Sequence, residues 1–261
     1  MANINPILGI AYPVLLMGIC PAAFAGDSGF SVSAGAEHSS GDYGSGSNVE
    51  EIYVPLRLNY TSNSIGYGIT LPYLSVRAPT GSIITDSQGQ IVVGEGPKKT
   101  ESGMGDIIAR VTFYDIYVSR SGNFIMDATL KAKLGKADEE KGLGTGETDY
   151  SVQSNMYQYF DTYGLSATIG YKVRGDPSGY NLQNVWFASL GANYRFDATT
   201  RGGIAYDYRQ SSFAGNDPAK ELSVFVSYRL NEDWRMQLYA LRGLSDSSPD
   251  LAGGVSFKYY L

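Results

Sequence analysis

Apolar and polar side chains alternate along most of the chain beyond residue 25. Leu165, Ala167, Ile169, Tyr171 and Val173 interleave with Ser166, Thr168, Gly170, Lys172 and Arg174. Leu222, Val224, Val226, Tyr228 and Leu230 interleave with Glu221, Ser223, Phe225, Ser227 and Arg229, and Ile52, Val54, Leu56, Leu58 and Tyr60 with Tyr53, Pro55, Arg57 and Asn59. Successive residues of a strand point to opposite faces, so this period of two builds segments with one apolar and one polar face; a helical period fits none of them. The pattern predicts about twelve strands, near 28–39, 50–61, 64–77, 103–118, 122–135, 149–161, 164–175, 184–196, 200–211, 219–230, 234–244 and 252–261.

The connections alternate in length. Ser62-Asn63, Arg120-Ser121, Thr162-Tyr163, Asp197–Thr199 and Asn231–Asp233 are short, whereas 40–49, 78–102, 136–148, 176–183, 212–218 and 245–251 are long. A soluble barrel has no reason to collect its long loops at one end; a bacterial outer-membrane barrel does, with short periplasmic turns and long extracellular loops. The expected fold class is therefore all-β: a transmembrane antiparallel up-and-down β-barrel of about twelve strands, both termini in the periplasm. Tyr60, Tyr67, Phe113, Tyr117, Phe124, Phe160, Tyr163, Phe196, Tyr228, Trp234 and Tyr259 all fall near short-turn strand ends. That is where an interfacial aromatic girdle sits, since such rings offer an apolar body and, for Tyr and Trp, a polar tip.

Residues 1–25 carry no charged side chain, run apolar from Ile7 to Ile19 and end in Ala23-Phe24-Ala25, the small-x-small pattern of a signal peptidase site. This predicts a signal peptide over 1–25 and the barrel over 26–261. Ile19 before Cys20 speaks against a lipoprotein signal, and cleavage after Ala25 leaves a mature chain without cysteine.

Composition agrees. The chain has 261 residues with 32 Gly and 21 Tyr, and its 43% hydrophobic content excludes intrinsic disorder. The mean hydropathy of −0.17 leaves no helical span beyond residue 25. A net charge of −6 argues against nucleic-acid binding. One His and one Cys cannot build a zinc site, and no cofactor is called for.

At the C-terminus Gly254, Phe257, Tyr259 and Leu261 lie in GVSFKYYL, which resembles the terminal strand that the barrel-assembly machinery recognises, with Leu261 where an aromatic is usual. Longer stretches resemble a family of bacterial outer-membrane barrels near the phenol-degradation (MetA-pathway) group. They are SSGDYGSGS at 39–47, VPLRLNYTSNSIGYGITLPYLSVRAPTG at 54–81, TESGMGDIIARVTFYDI at 100–116, KADEEKGLGTGETDYSV at 136–152, AYDYRQSS at 205–212 and GLSDSSPDLAGGVSFKYYL at 243–261. Gly103, Gly105 and Asp106 are the most specific piece. The resemblance implies an outer-membrane barrel with a transport role and brings no ligand with it.

If the apolar face meets lipid, the polar face lines the lumen. The selectivity candidates there are Arg57, Arg110, Lys131, Lys133, Lys172, Arg229 and Arg235, with Asp127 and Asp207. Glu37, Asp106, Arg195, Arg209 and Lys258 join them on the inward face. Twelve strands spaced ~4.8 Å and tilted ~40° make a backbone cylinder about 24 Å across, leaving at most roughly 10 Å between side chains. Such a basic lumen suits small anions, or closes if its charges pair. The expected function is passive passage of small solutes, with loop 78–102 as the gate; Asp86–Gly89 inside that loop signals a hairpin. The long loops read as acidic, Glu51 and Asp149 included, and suit a solvated surface facing lipopolysaccharide. The alternatives are a closed structural or adhesion barrel acting through these loops, and a rim lipid hydrolase built on His38. Ser39 faces away from His38 by alternation, so the chain reads as a non-enzyme. Gly142-Leu-Gly144-Thr-Gly146 lacks the ending of a phosphate loop and reads as a turn-rich loop.

Overall fold

The computed structural model describes residues 28–86, 90–177, 181–213 and 215–261; the segment read as a signal peptide lies outside them. All regular structure among these residues is strand: β1 Gly29–Gly41, β2 Val49–Thr61, β3 Ile65–Pro79, β4 Ile83–Asp86, β5 Gln90–Val92, β6 Lys98–Met104, β7 Ile107–Val118, β8 Phe124–Leu134, β9 Asp149–Tyr159, β10 Tyr163–Val173, β11 Val185–Arg195, β12 Thr200–Arg209, β13 Ala219–Arg229, β14 Trp234–Gly243 and β15 Leu251–Tyr260. Strands β4 and β5 form a separate hairpin within the longest loop, as its turn signal predicts. The other thirteen make one antiparallel sheet, closed where β1 pairs with β15 from Ser31↔Tyr260 to Ser40↔Leu251.

Two of these strands share one place in the wall. β6 pairs with the Tyr73–Pro79 half of β3, and β7 with its Ile65–Thr70 half, so the closed barrel has twelve positions. The strand expected at 103–118 is thus broken at Gly105-Asp106 and begins earlier. A second irregularity lies in β7, where the register jumps from Phe113↔Ala128 to Tyr117↔Met126. Asp115 sits there at φ 55°, and its amide donates to Asp127 Oδ1 at 2.9 Å. The bulge re-aims the short-turn end of β7.

The burial pattern inverts that of a soluble sheet. On β2, Ile52, Val54, Leu56 and Leu58 face outward and are exposed, whereas Glu51, Tyr53 and Arg57 face inward and are buried. A strand that buries its charges and exposes its aliphatics is matched to lipid outside and a polar lumen inside. Eight residue steps from Ile52 to Tyr60, at ~3.3 Å each and ~40° tilt, cover about 20 Å, close to the apolar band of a membrane barrel. Rings cluster at the short-turn edge: Phe30 on Tyr60 at 4.8 Å, Phe160 on Tyr163 at 4.2 Å and Trp234 on Tyr259 at 5.0 Å. A smaller group, with Tyr171 on Trp186 at 4.9 Å, marks the other edge.

The short turns are held by their own polar side chains. Asn231 Oδ1 accepts from the amides of Asp233 at 3.0 Å and Trp234 at 2.8 Å. Asp197 Oδ1 accepts from the Thr199 amide at 2.7 Å, the Thr199 hydroxyl and the Thr200 amide. These bonds, the Thr199 amide first, lower the Asp197 pKa to about 2.

Candidate functional site

The lumen differs sharply between its two ends. At the long-loop end Val49, Leu74, Leu143, Val185 and Ser212 are all but inaccessible, at 0–1% exposure. Towards the short-turn end Arg110, Lys131, Arg195, Arg201, Arg229 and Arg235 are only half buried. The lumen is therefore covered at the long-loop end, whereas these cations near the short turns are covered less completely, although Ser31, Asn193 and Lys258 beside them are buried.

Loop 136–148 makes the seal. Leu143 and Ala137 enter the lumen and pack with Val49, Tyr53, Leu74, Val76 and Ala78, which line the inner wall of β2 and β3. This wall is apolar on its inward face because the alternation relaxes there: Leu74, Val76 and Ala78 are inward, while Tyr73 and Arg77 point out. Gly103 leaves the room that Leu143 needs; a Cβ at that position would lie 3.0 Å from Leu143 Cδ1.

Asp106 fastens the loop. The break between β6 and β7 turns its carboxylate inward, and Oδ1 accepts from the backbone amides of Lys136 and Ala137, both at 2.9 Å. Oδ2 meets Lys133 Nζ at 2.9 Å, and the same ammonium donates to Thr145 Oγ1 at 3.0 Å, on the far limb of the loop. Gly144 keeps this junction clear, since a Cβ there would stand 2.9 Å from Asp106 Oδ2. Lys133 also lies 3.5 Å from Asp149, which in turn holds Arg174 at 3.0 Å. Arg174 Nη2 donates to Ser212 Oγ at 2.6 Å. A buried chain of alternating charges thus runs from the break between β6 and β7 to the loop after β12, with each ion facing an opposite one, the arrangement that makes burial of charge tolerable.

A second loop turns in beside the first. Tyr43, at φ 50°, packs against the same apolar cluster. Burial first, then the neighbouring carboxylates of Glu51 and Glu221, push its phenol pKa above the usual tyrosine range. On the β11–β13 wall a small cavity of about 10 Å³, room for a single water at most, remains, lined by Phe187, Ser189, Asp207, Arg209, Ala219 and Glu221.

A family model described as "Putative MetA-pathway of phenol degradation" matches residues 22–261. The chain belongs to this family. In this chain the segment holding Gly103, Gly105 and Asp106 is the one that fastens loop 136–148. Among solved structures, the COG4313 outer membrane channel from Pseudomonas putida F1 is 15% identical with a TM-score of 0.72, over 90% of this chain and 96% of that one. The NanC porin is 10% identical with a TM-score of 0.59, over 88% and all of that chain. The transport unit of the autotransporter AIDA-I from Escherichia coli is 10% identical with a TM-score of 0.57, over 95% and 94%. These likenesses establish the barrel fold. A search of curated proteins found no match.

The candidate selectivity residues have separate fates in this barrel. Arg57 lies 3.6 Å from Glu37, and Arg110 donates to Asn59 Oδ1 at 2.8 Å. Arg110 and Lys131 face each other across β7 and β8, and buried Lys172 faces the lumen from β10. Lys133 belongs to the plug rather than to an open passage. Asp127 holds the β7 bulge, and Asp207 lines the cavity opposite Ser189. Arg229 and Arg235 face each other at the short-turn mouth. Of the terminal-strand residues, Phe257 and Leu261 are exposed outward, Tyr259 joins the girdle, and Gly254 leaves room for Tyr239 and Glu37.

Glu51 and Asp149, read from sequence as solvated loop acids, are instead 6% and 3% exposed inside the lumen. Their parity held the signal: Glu51 alternates in phase with Tyr53 and Arg57, and Asp149 with Ser151 and Gln153. His38 is exposed on the outer face, opposite Ile52 and Gly253, with Ser39 on the other face. Among the described residues no group of three or more His, Cys, Asp or Glu is placed to hold a metal ion.

Proposed function

We propose that this barrel is a gated outer-membrane channel for small solutes, with a preference for anions. The observation that carries this reading is the latched loop 136–148 across one end of the lumen. A barrel that served only as a wall would have no use for a latched loop at one end and a cluster of half-buried cations at the other. In this reading the short turns and termini face the periplasm, the long loops face outward, and loop 136–148 is the gate. The base of loop 78–102 braces that gate: Gly142 comes against the Ser82 carbonyl, and Val93 packs on the apolar cluster beneath it. Arg110, Lys131, Arg229 and Arg235, half-buried towards the short turns, give that end of the lumen a positive potential, which raises the local concentration of small anions. The fold of channels and porins supports passage; it names no solute.

Planar-bilayer recording of the full barrel and of a variant lacking 138–144 tests this. The deletion is expected to raise open probability, and a salt gradient is expected to give an anion-selective reversal potential. A deletion of 83–92 should have the smaller effect. Silence of both deletions, with a folded barrel by circular dichroism, would favour the second reading, a closed barrel acting through its outer loops. The observation behind that reading is the nearly complete pairing of charges at the sealed end.

A further inference from the structure

Five cations crowd the short-turn mouth on five consecutive strands, and their register sets like charge directly against like. Arg195 on β11 stands opposite Arg201 on β12, Arg229 on β13 opposite Arg235 on β14, and Arg235 opposite Lys258 on β15. Directly opposed like charges on neighbouring strands destabilise a sheet. The upper lumen shows how this chain treats cations elsewhere: Arg57 has Glu37, Lys133 has Asp106 and Asp149, and Arg174 has Asp149. At the mouth, by contrast, Arg195 and Arg229 bond to neutral backbone carbonyls. Arg195 Nη2 donates to the Asp161 carbonyl at 2.8 Å, and Arg229 Nη2 to the Ala198 carbonyl at 3.1 Å. These bonds fix the two guanidiniums without cancelling their charge. Among the described residues Arg195, Arg201 and Arg229 make no salt bridge, and the nearby Asp197 carboxylate is occupied by Thr199 and Thr200.

We infer that this mouth is a binding site for a small dicarboxylate. Two features set the class. Guanidinium forks match carboxylates in a bidentate way that a point charge does not. The Arg195–Arg201 pair and the Arg229–Arg235 pair are two strands apart, about 10 Å along the wall, and all four residues fall on the lumen-facing parity of their strands. One molecule with an anionic group at each end spans them, and it relieves two like-charge pairs at once. The Tyr260 ring, 5.3 Å from Arg235 and 4.4 Å from Lys258 Nζ, borders the site on its β15 side. The role of this site in solute entry or exit rests on the channel reading; the binding itself does not.

The test is calorimetric titration of the full-length barrel in uncharged detergent at low salt, with adipate, hexanoate and sulfate as probes. Adipate is expected to bind at least tenfold more tightly than hexanoate or sulfate. The double variant Arg201→Gln, Arg229→Gln is expected to weaken adipate at least tenfold and hexanoate little. Equal affinity for adipate and hexanoate, or adipate binding unchanged in the variant, would overturn the inference. Sulfate binding as tightly as adipate would overturn the two-ended recognition. Should the Gln pair fail to fold, judged by heat-modifiable migration, Arg201→Lys with Arg229→Lys replaces it. Charge is then kept and the forks are lost; several-fold weaker adipate binding supports the site, and unchanged binding refutes it. Because calorimetry needs no open pore, a silent bilayer refutes conduction alone, and a conducting barrel indifferent to adipate refutes this site alone.

Discussion

Replacing Asp106 is the sharpest test of the latch. Its carboxylate makes two charge-assisted hydrogen bonds to the loop, through the amides of Lys136 and Ala137 at 2.9 Å, and it orients Lys133, which reaches Thr145 on the other limb. Hydrogen bonds to charged groups contribute about 1.5–3 kcal/mol each, and the loop amides regain water once the loop swings out. Asp106→Ala therefore shifts the balance towards the open loop by about 3 kcal/mol, taking the low end of that range for each of two bonds. That is roughly a hundredfold in the open-to-closed ratio. Asp106→Asn keeps an acceptor for the amides but not its charge, and it falls between the variant and the parent protein. Two assays read the same quantity: open probability in a planar bilayer, and the rate of tryptic cleavage after Lys136 in detergent. The expected order is parent, then Asn, then Ala, in both. If Ala matches the parent in both while the barrel stays heat-modifiable, Asp106 does not hold the gate and the reasoning fails.

Other outcomes follow from the same geometry. Leu143→Ala removes the anchor of the apolar cluster and is expected to cost the closed loop about 2–3 kcal/mol, the lower part of the range for buried Leu→Ala, read as more frequent openings with unchanged unit conductance. Arg174→Met strips Asp149 of one cation and Ser212 of its donor. Breaking a buried pair from one side costs about 3–5 kcal/mol, so thermal unfolding followed by circular dichroism should show a clearly lower midpoint. At the Asp197 turn the folded pKa of about 2 lies below the reference value of 3.8. Its contribution is therefore fully present above about pH 4 and lost as the pH falls through about 2. Hydrogen exchange of the Thr199 and Thr200 amides, normalised for intrinsic rates, should lose protection in that window and not between pH 5 and 8.

Sequence and structure divide the explanation along a physical line. The strands, their number, the clustering of long loops and the lower aromatic girdle were all legible in the chain. Each follows from a local rule: side chains alternate every residue along a strand because of its covalent geometry, and rings such as Tyr60 and Trp234 stop where lipid meets water. Inward parity even carried the placement of Glu51 and Asp149, although their nearness to loops hid it. The break at Gly105-Asp106 and the path of loop 136–148 were not legible. They depend on which residues closure of the barrel brings together: Leu143 on Leu74, Asp106 on Lys133, and Tyr239 donating to Glu37 at 3.1 Å across most of the chain. A run such as Gly142–Gly146 says only that the backbone is free to turn. Where it turns is decided by an apolar wall and a carboxylate on strands far away in sequence, and only the closed barrel sets those in place.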